Sequence, residues 1–248
     1  MTLGLPDGIR ACLFDMDGVL TRTEKFHAKA WKEMFDAYLR ERSRRTGQSL
    51  ARFDEVGDYD EYVDGLPREE GVRSFLASRD IELPEGAPDD PPEAATVHAL
   101  GERKNELVLR LIRDEGVRSY EGSVRYLDAV RRAGLATAVV SSSANTHDVL
   151  AAAGLAGRFD VVIDRTVAAR EHLRGKPEPD TFVAGARALG VQPAQAAVFE
   201  DAVAGVQAGH AGHFGFVVGV DRAGQADALR ARGADRVVGD LRELLERS

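Results

Sequence analysis

Short apolar runs recur along this chain, each followed by polar or glycine-containing residues. The first is Ala11-Cys12-Leu13-Phe14, and later ones fall at 135–140, 160–163, 196–199, 214–218 and 236–238. From Tyr120 onward they alternate with helical stretches, which predicts βαβ units. The fold class is therefore α/β, a Rossmann-like parallel sheet with helices on both faces. The opening run, from Ile9 to Phe14, is expected in that same sheet. Between it and Tyr120 the pattern changes. Phe26, Ala30, Trp31, Met34, Phe35 and Tyr38 recur at spacings of three and four, the signature of one buried helix face. Further helices are expected over about 68–78 and 94–114, separated by a turn-rich stretch at 83–92. An all-helical segment, 22–118, thus interrupts a core formed by 1–21 and 119–248. The basic run at 40–45 reads as a solvated helix end.

Composition narrows the function classes. The 248 residues carry a net charge of -8, which argues against a nucleic-acid partner while leaving room for a local anion site. No run is long enough to span a bilayer, and the first residues lack a signal-peptide pattern. The single cysteine, Cys12, needs no oxidising compartment, so the cytoplasm is the expected location.

The chemistry concentrates where the apolar runs end. Asp15-Met16-Asp17-Gly18 follows the first, Ser141-Ser142-Ser143-Ala144-Asn145 the second, and Glu200-Asp201 the run at 196–199. In an open parallel sheet the carboxyl ends of the strands share one edge, so these clusters are expected to converge. Lys176 sits in Gly175-Lys176-Pro177-Glu178-Pro179, a tight loop opening a helix. Buried carboxylates need a cation or a reactive role, and Asp15, Asp17, Glu200 and Asp201 supply hard oxygen ligands suited to Mg²⁺. Ser141 and nearby amides can hold a phosphate whose charge Lys176 balances, and a carboxylate can serve as nucleophile. The bland alternatives are a turn at Asp15 and Asp17, a plain loop at Ser141, a surface lysine and a helix cap at Glu200-Asp201. Their ordered placement after successive strands favours a phosphoryl-transfer site.

Asp-Met-Asp-Gly-Val-Leu-Thr, the serine-rich loop, Gly-Lys-Pro-x-Pro-Asp and Phe-Glu-Asp-Ala-x-x-Gly together resemble the four motifs of the haloacid dehalogenase superfamily. Thr23, His27, Trp31, the Gly65-Leu66-Pro67-Arg68-Glu69 segment and Arg103-Lys104-Asn105 resemble its β-phosphoglucomutase-like branch, with the helical segment as a cap. The resemblance implies an Mg²⁺-dependent phosphotransferase interconverting β-D-glucose 1-phosphate and glucose 6-phosphate through an aspartyl-phosphate and glucose 1,6-bisphosphate. Asp15 is then the nucleophile and Asp17 the general acid/base. Metal ligation falls to Asp15, the Asp17 carbonyl, Glu200 and Asp201, while Ser141 and Lys176 bind the transferring phosphoryl group. The implied substrate-binding residues are Thr23, His27, Trp31, Gly65, Arg68, Lys104, Ser142, Ser143 and Asn145, with Arg68 on the second phosphate and His27 and Thr23 near the cap hinge. Asp64 stands where a lysine is common in this branch, which touches sugar preference. A sugar-phosphate phosphatase on the same scaffold is the alternative. A dehalogenase would need neither Mg²⁺ nor Asp17, and a non-catalytic module would not fill every reactive position. The expected partner is a phosphorylated sugar, with a monomer compatible with the sequence.

Overall fold

The computed structural model describes residues 2–245; Met1 and residues 246–248, at the ends of the expected core, lie outside them. The chain divides into two compact units, one made of Met1–Arg22 and Val117–Ser248, the other of Thr23–Gly116.

The first unit holds strands β1 (Ala11–Phe14), β2 (Ala136–Val140), β3 (Val161–Ile163), β4 (Ala196–Glu200), β5 (Phe216–Val220) and β6 (Arg236–Val238). All pairings are parallel, in the order β3-β2-β1-β4-β5-β6. The order reverses between β1 and β4, and crevices at such a switch point, outside the strands' carboxyl ends, are where open α/β sheets bind ligands. β1 and β4 are buried throughout, which explains their apolar runs, broken in β4 only by the closing Glu200. On one face Leu13, Val140, Val198 and Val217 pack with Phe182, Val206 and Leu229. On the other, Phe14 stacks on Phe199 with centroids 4.6 Å apart, and Tyr126 closes over both. The sheet is covered by α5 (Glu121–Arg132), α6 (Thr146–Ala152), α7 (Arg165–Arg170), α8 (Asp180–Ala188), α9 (Val203–Ala211) and α10 (Ala226–Ala231). β5 begins and ends two residues later than the pattern predicts. The apolar run stops before Gly219, yet that glycine pairs with both Glu200 and Val237 inside the sheet.

The second unit contains α1 (Glu24–Thr46), α2 (Gly57–Tyr62), α3 (Arg68–Ala77) and α4 (Val97–Glu115). Its core is aromatic: Phe35 stacks between Trp31 and Phe53 and meets Phe75 at 4.1 Å. A buried carboxylate, Asp36, accepts from the Phe53 amide at 3.0 Å and pairs with Lys32 at 3.1 Å. The run at 40–45 forms the end of α1, with Arg40, Arg44 and Arg45 exposed. No described helix is long and apolar enough to cross a membrane.

Candidate active site

Asp15 leaves β1 with its amide still donating to the Phe199 carbonyl at 2.9 Å, so it stands beside the end of β4. Glu200 closes β4 and Asp201 follows it. One carboxylate oxygen from each of Asp15, Glu200 and Asp201 lies within 4.8 Å of the others, and all three residues are buried. The ammonium of Lys176 donates to Asp15 Oδ1, sits 2.5 Å from Glu200 Oε1 and reaches the Val140 carbonyl at 3.3 Å.

Two of these three buried carboxylates, Asp15 and Glu200, face one ammonium. Burial pushes Asp15 and Glu200 above the usual carboxylate range, against the opposing pull of Lys176. Burial alone would lower Lys176, but the two carboxylates outweigh it and hold the ammonium well above its ordinary value. The remaining excess of negative charge, presented by hard oxygens, suits a divalent cation. The residues present therefore fit a metal. Asp17, half-buried, adds its charge to the upward push on Asp15, and its carboxylate is not a member of the clustered group.

The loop carrying these aspartates is tightly wound. The Met16 carbonyl accepts from the Leu20 amide, the Thr21 amide and the Thr21 hydroxyl, at 2.9, 2.9 and 3.2 Å. Gly18 has φ +75°, and a Cβ there would fall 1.6 Å from Asp201 Oδ2. Glycine is thus required by both backbone and contact. Similarly, a Cβ on Gly205 would fall 1.8 Å from Glu200 Oε1, so α9 approaches this carboxylate as closely as only glycine permits. The Ala202 amide donates to Glu200 Oε2 at 3.0 Å.

Ser141 follows β2, buried, with its amide bonded to the Ile163 carbonyl. Its hydroxyl accepts from the Ser143 amide at 3.1 Å, and the Ser143 hydroxyl accepts from the Asn145 amide at 3.1 Å. Ser142 lies within this wound turn, which leads into α6. Lys176 touches the carbonyl preceding Ser141, so the nucleophile candidate, the lysine and the serine loop meet at one edge.

The other expected residues occupy the second unit. Thr23 is buried ahead of α1, and its carbonyl accepts from the His27 amide at 3.1 Å. His27 Nδ1 lies 2.9 Å from Lys104 Nζ, which sits 4.9 Å above the Trp31 ring. Burial and then the Lys104 charge push His27 well below its ordinary range. Trp31 is itself 3% exposed and belongs to the aromatic core, where it supports Lys104. Gly65, at φ +71°, turns the chain into Leu66-Pro67 ahead of α3. Arg68, at the start of α3, pairs with Glu102 at 2.7 Å and approaches Glu69 at 3.5 Å.

Two residues at the core edge escape a motif-based reading. Arg222 Nε donates to the Gly18 carbonyl at 2.7 Å, and Gln225 Nε2 to the Asp201 carbonyl at 3.1 Å. Both follow β5, and the signal that could have found them is the one that flagged the other clusters, a polar stretch after an apolar strand.

The model of the haloacid dehalogenase-like hydrolase family matches residues 9–213. The β-phosphoglucomutases of Mycobacterium bovis and Mycobacterium tuberculosis are 58% identical over 246 residues, covering 98% of this chain and 94% of theirs. The fructose-1-phosphate phosphatase of Escherichia coli is 33% identical over 208 residues, covering 80% of this chain and 90% of its own. The crystal structure of a Clostridium difficile β-phosphoglucomutase superposes with a TM-score of 0.71 at 25% identity, covering 95% of this chain and 93% of that one. The chain belongs to the haloacid dehalogenase-like hydrolase family, in its β-phosphoglucomutase-like branch.

Proposed function

We propose that this protein is an Mg²⁺-dependent β-phosphoglucomutase, interconverting β-D-glucose 1-phosphate and glucose 6-phosphate through glucose 1,6-bisphosphate. The observation that carries the mutase over a phosphatase is the near full-length 58% identity to the mycobacterial β-phosphoglucomutases, against 33% for the phosphatase.

In this reading Asp15 begins each cycle as an aspartyl-phosphate. The 6-hydroxyl of β-glucose 1-phosphate attacks that phosphorus, the acyl phosphate bond breaks, and the hydroxyl proton passes to Asp17. The bisphosphate then turns end for end. Asp15 attacks the 1-phosphate, and Asp17 returns its proton to the departing sugar oxygen, releasing glucose 6-phosphate. Lys176 and Ser141 hold the phosphoryl group in flight, where positioning and charge neutralisation supply most of the catalysis. Asp15, the Asp17 carbonyl, Glu200 and Asp201 would hold Mg²⁺, which when bound neutralises phosphoryl oxygens. Mg²⁺ suits a site of few carboxylates because it keeps several waters. The second phosphate falls to Arg68, and Thr23, His27, Gly65, Lys104, Ser142, Ser143 and Asn145 serve the sugar phosphate or the residues that touch it. Cys12, buried and free, fits the reducing cytoplasm where this reading places the enzyme.

The test is incubation with Mg²⁺, β-glucose 1-phosphate and a trace of glucose 1,6-bisphosphate, following glucose 6-phosphate and free phosphate together. Glucose 6-phosphate forming well ahead of phosphate supports the mutase. Phosphate release without isomerisation would assign a phosphatase instead.

A further inference from the structure

The loop between β5 and α10, residues 221–225, lies beyond the segment that the family model matches, yet it holds the backbone of two active-site loops. Arg222 is the centre of this arrangement. Its Nε donates to the Gly18 carbonyl, one residue after Asp17, and its Nη1 donates to the Gly239 carbonyl after β6, both at 2.7 Å. The guanidinium lies 3.6 Å from the centroid of Tyr120, and Arg22 approaches the same ring at 4.8 Å. Arg22 and Tyr120 stand where the chain leaves and rejoins the first unit, and the Tyr120 amide donates to the Leu20 carbonyl at 2.9 Å. One guanidinium therefore ties the loop at 15–21 to β6 and to the Tyr120 segment.

Gln225 performs the same service for the opposite loop by donating to the Asp201 carbonyl. The loop that carries both is pinned by hydrogen bonds at Asp221. Asp221 Oδ1 accepts from the Gly224 and Gln225 amides at 2.7 and 2.9 Å, and the Asp221 amide donates to the Val238 carbonyl at 2.8 Å. The Arg222 side chain is placed by three contacts, through Nε, through Nη1 and on the Tyr120 ring.

We propose that residues 221–225 are a positioning element, in which Arg222 sets the loop bearing Asp15 and Asp17 and Gln225 sets Asp201 against it. Naming the reaction served rests on the phosphotransfer reading above, but the placement itself does not. A displacement of about 1 Å in reacting groups can cost about a hundredfold in rate, so small losses of register are measurable.

The test compares Arg222→Ala, Arg222→Lys and Gln225→Met with wild type and with Arg187→Ala, a surface ion-pair control. Measurements are kcat and KM for β-glucose 1-phosphate, hydrolysis of a small phosphate monoester, Tm, and Mn²⁺ binding by electron paramagnetic resonance. Arg222→Ala is expected to lower kcat at least about tenfold on both substrates, with KM within about twofold. Arg222→Lys, which keeps a donor and a charge but cannot bridge both carbonyls, should fall between. Gln225→Met should weaken Mn²⁺ binding at least about threefold, and Arg187→Ala should change nothing. Should Arg222→Ala fail to fold, a folded Arg222→Lys with wild-type kcat overturns the proposal. So do wild-type rates in a folded Arg222→Ala, or unchanged Mn²⁺ binding in Gln225→Met. A wild type that hydrolyses monoesters without isomerising removes the mutase reading, while the hydrolysis and Mn²⁺ series still decide the positioning claim.

Discussion

The ammonium of Lys176 donates to Oδ1 of Asp15 across 161 residues of chain. The same nitrogen faces Glu200, so one cation stands between the candidate nucleophile and a candidate metal ligand. Breaking such a buried pair by removing one partner leaves charge without compensation, at a cost of about 3–5 kcal/mol. Lys176→Met is accordingly expected to lower Tm by roughly 6–20 °C for a chain of this size. The fall should lie toward the smaller end, because Asp15 and Glu200 can take up protons. Mg²⁺ should restore part of it. Thermal unfolding with chelator and with Mg²⁺ measures both, and an unchanged Tm in chelator would show that the lysine does not stabilise the cluster.

Arg68 is mostly buried and paired with Glu102, itself half-exposed. A pair of that kind contributes about 1 kcal/mol or less to stability, so Arg68→Ala should fold with little loss. If Arg68 grips the non-reacting phosphate, kcat/KM for β-glucose 1-phosphate should drop at least about tenfold, or ~1.4 kcal/mol. Hydrolysis of a monoester lacking a second phosphate should change little. Equal losses on both substrates would remove Arg68 from that role.

The sheet and most of its site were legible because a parallel strand buried on both faces is apolar throughout and must end in polar residues. Asp15, Ser141 and Glu200-Asp201 announce themselves this way. Gly219 hid the end of β5, and with it the polar group holding Arg222 and Gln225. Lys176 carries no strand beside it, and only the packed fold brings its ammonium onto Asp15. In the second unit, Trp31 satisfies both the core periodicity and a substrate-residue motif, and the helix packing places it in the core. The pairings of His27 with Lys104 and of Arg68 with Glu102 depend on how α1, α3 and α4 pack, which periodicity does not encode.

Chelation should abolish turnover, and Mg²⁺ should restore it better than Ca²⁺. The larger ion takes more oxygens at longer distances and would displace Asp15 relative to Glu200 and Asp201. Steady-state rates in metal-free buffer, titrated with each ion, check this. Equal rates with both ions, or full activity in excess chelator, would rule out the assigned ligand set.

His27 gives the fold a pH signature. Burial, and then Lys104, hold its folded-state pKa well below the usual value of about 6.5, so the folded protein keeps the ring neutral while the unfolded chain takes up a proton. Its contribution is therefore fully favourable above about pH 6.5 and diminishes as pH falls toward the folded pKa, with a slope approaching ~1.4 kcal/mol per pH unit. Urea unfolding of wild type and His27→Gln between about pH 7.5 and 5 isolates this group. The variant should lose less stability on acidification, whereas parallel curves would mean that His27 titrates alike in both states.

The proposed function turns on one property, that Asp15 would carry the phosphoryl group and pass it to a sugar in preference to water. Radiolabelled glucose 1,6-bisphosphate mixed with the Mg²⁺-loaded enzyme, quenched rapidly in acid and mapped by mass spectrometry, measures this directly. One labelled phosphate is expected on the peptide containing Asp15 and none on Asp15→Asn. A chase with β-glucose 1-phosphate should move the label into sugar phosphates before any inorganic phosphate forms. Label persisting on Asp15→Asn, or passing first to inorganic phosphate, would contradict a mutase acting through Asp15.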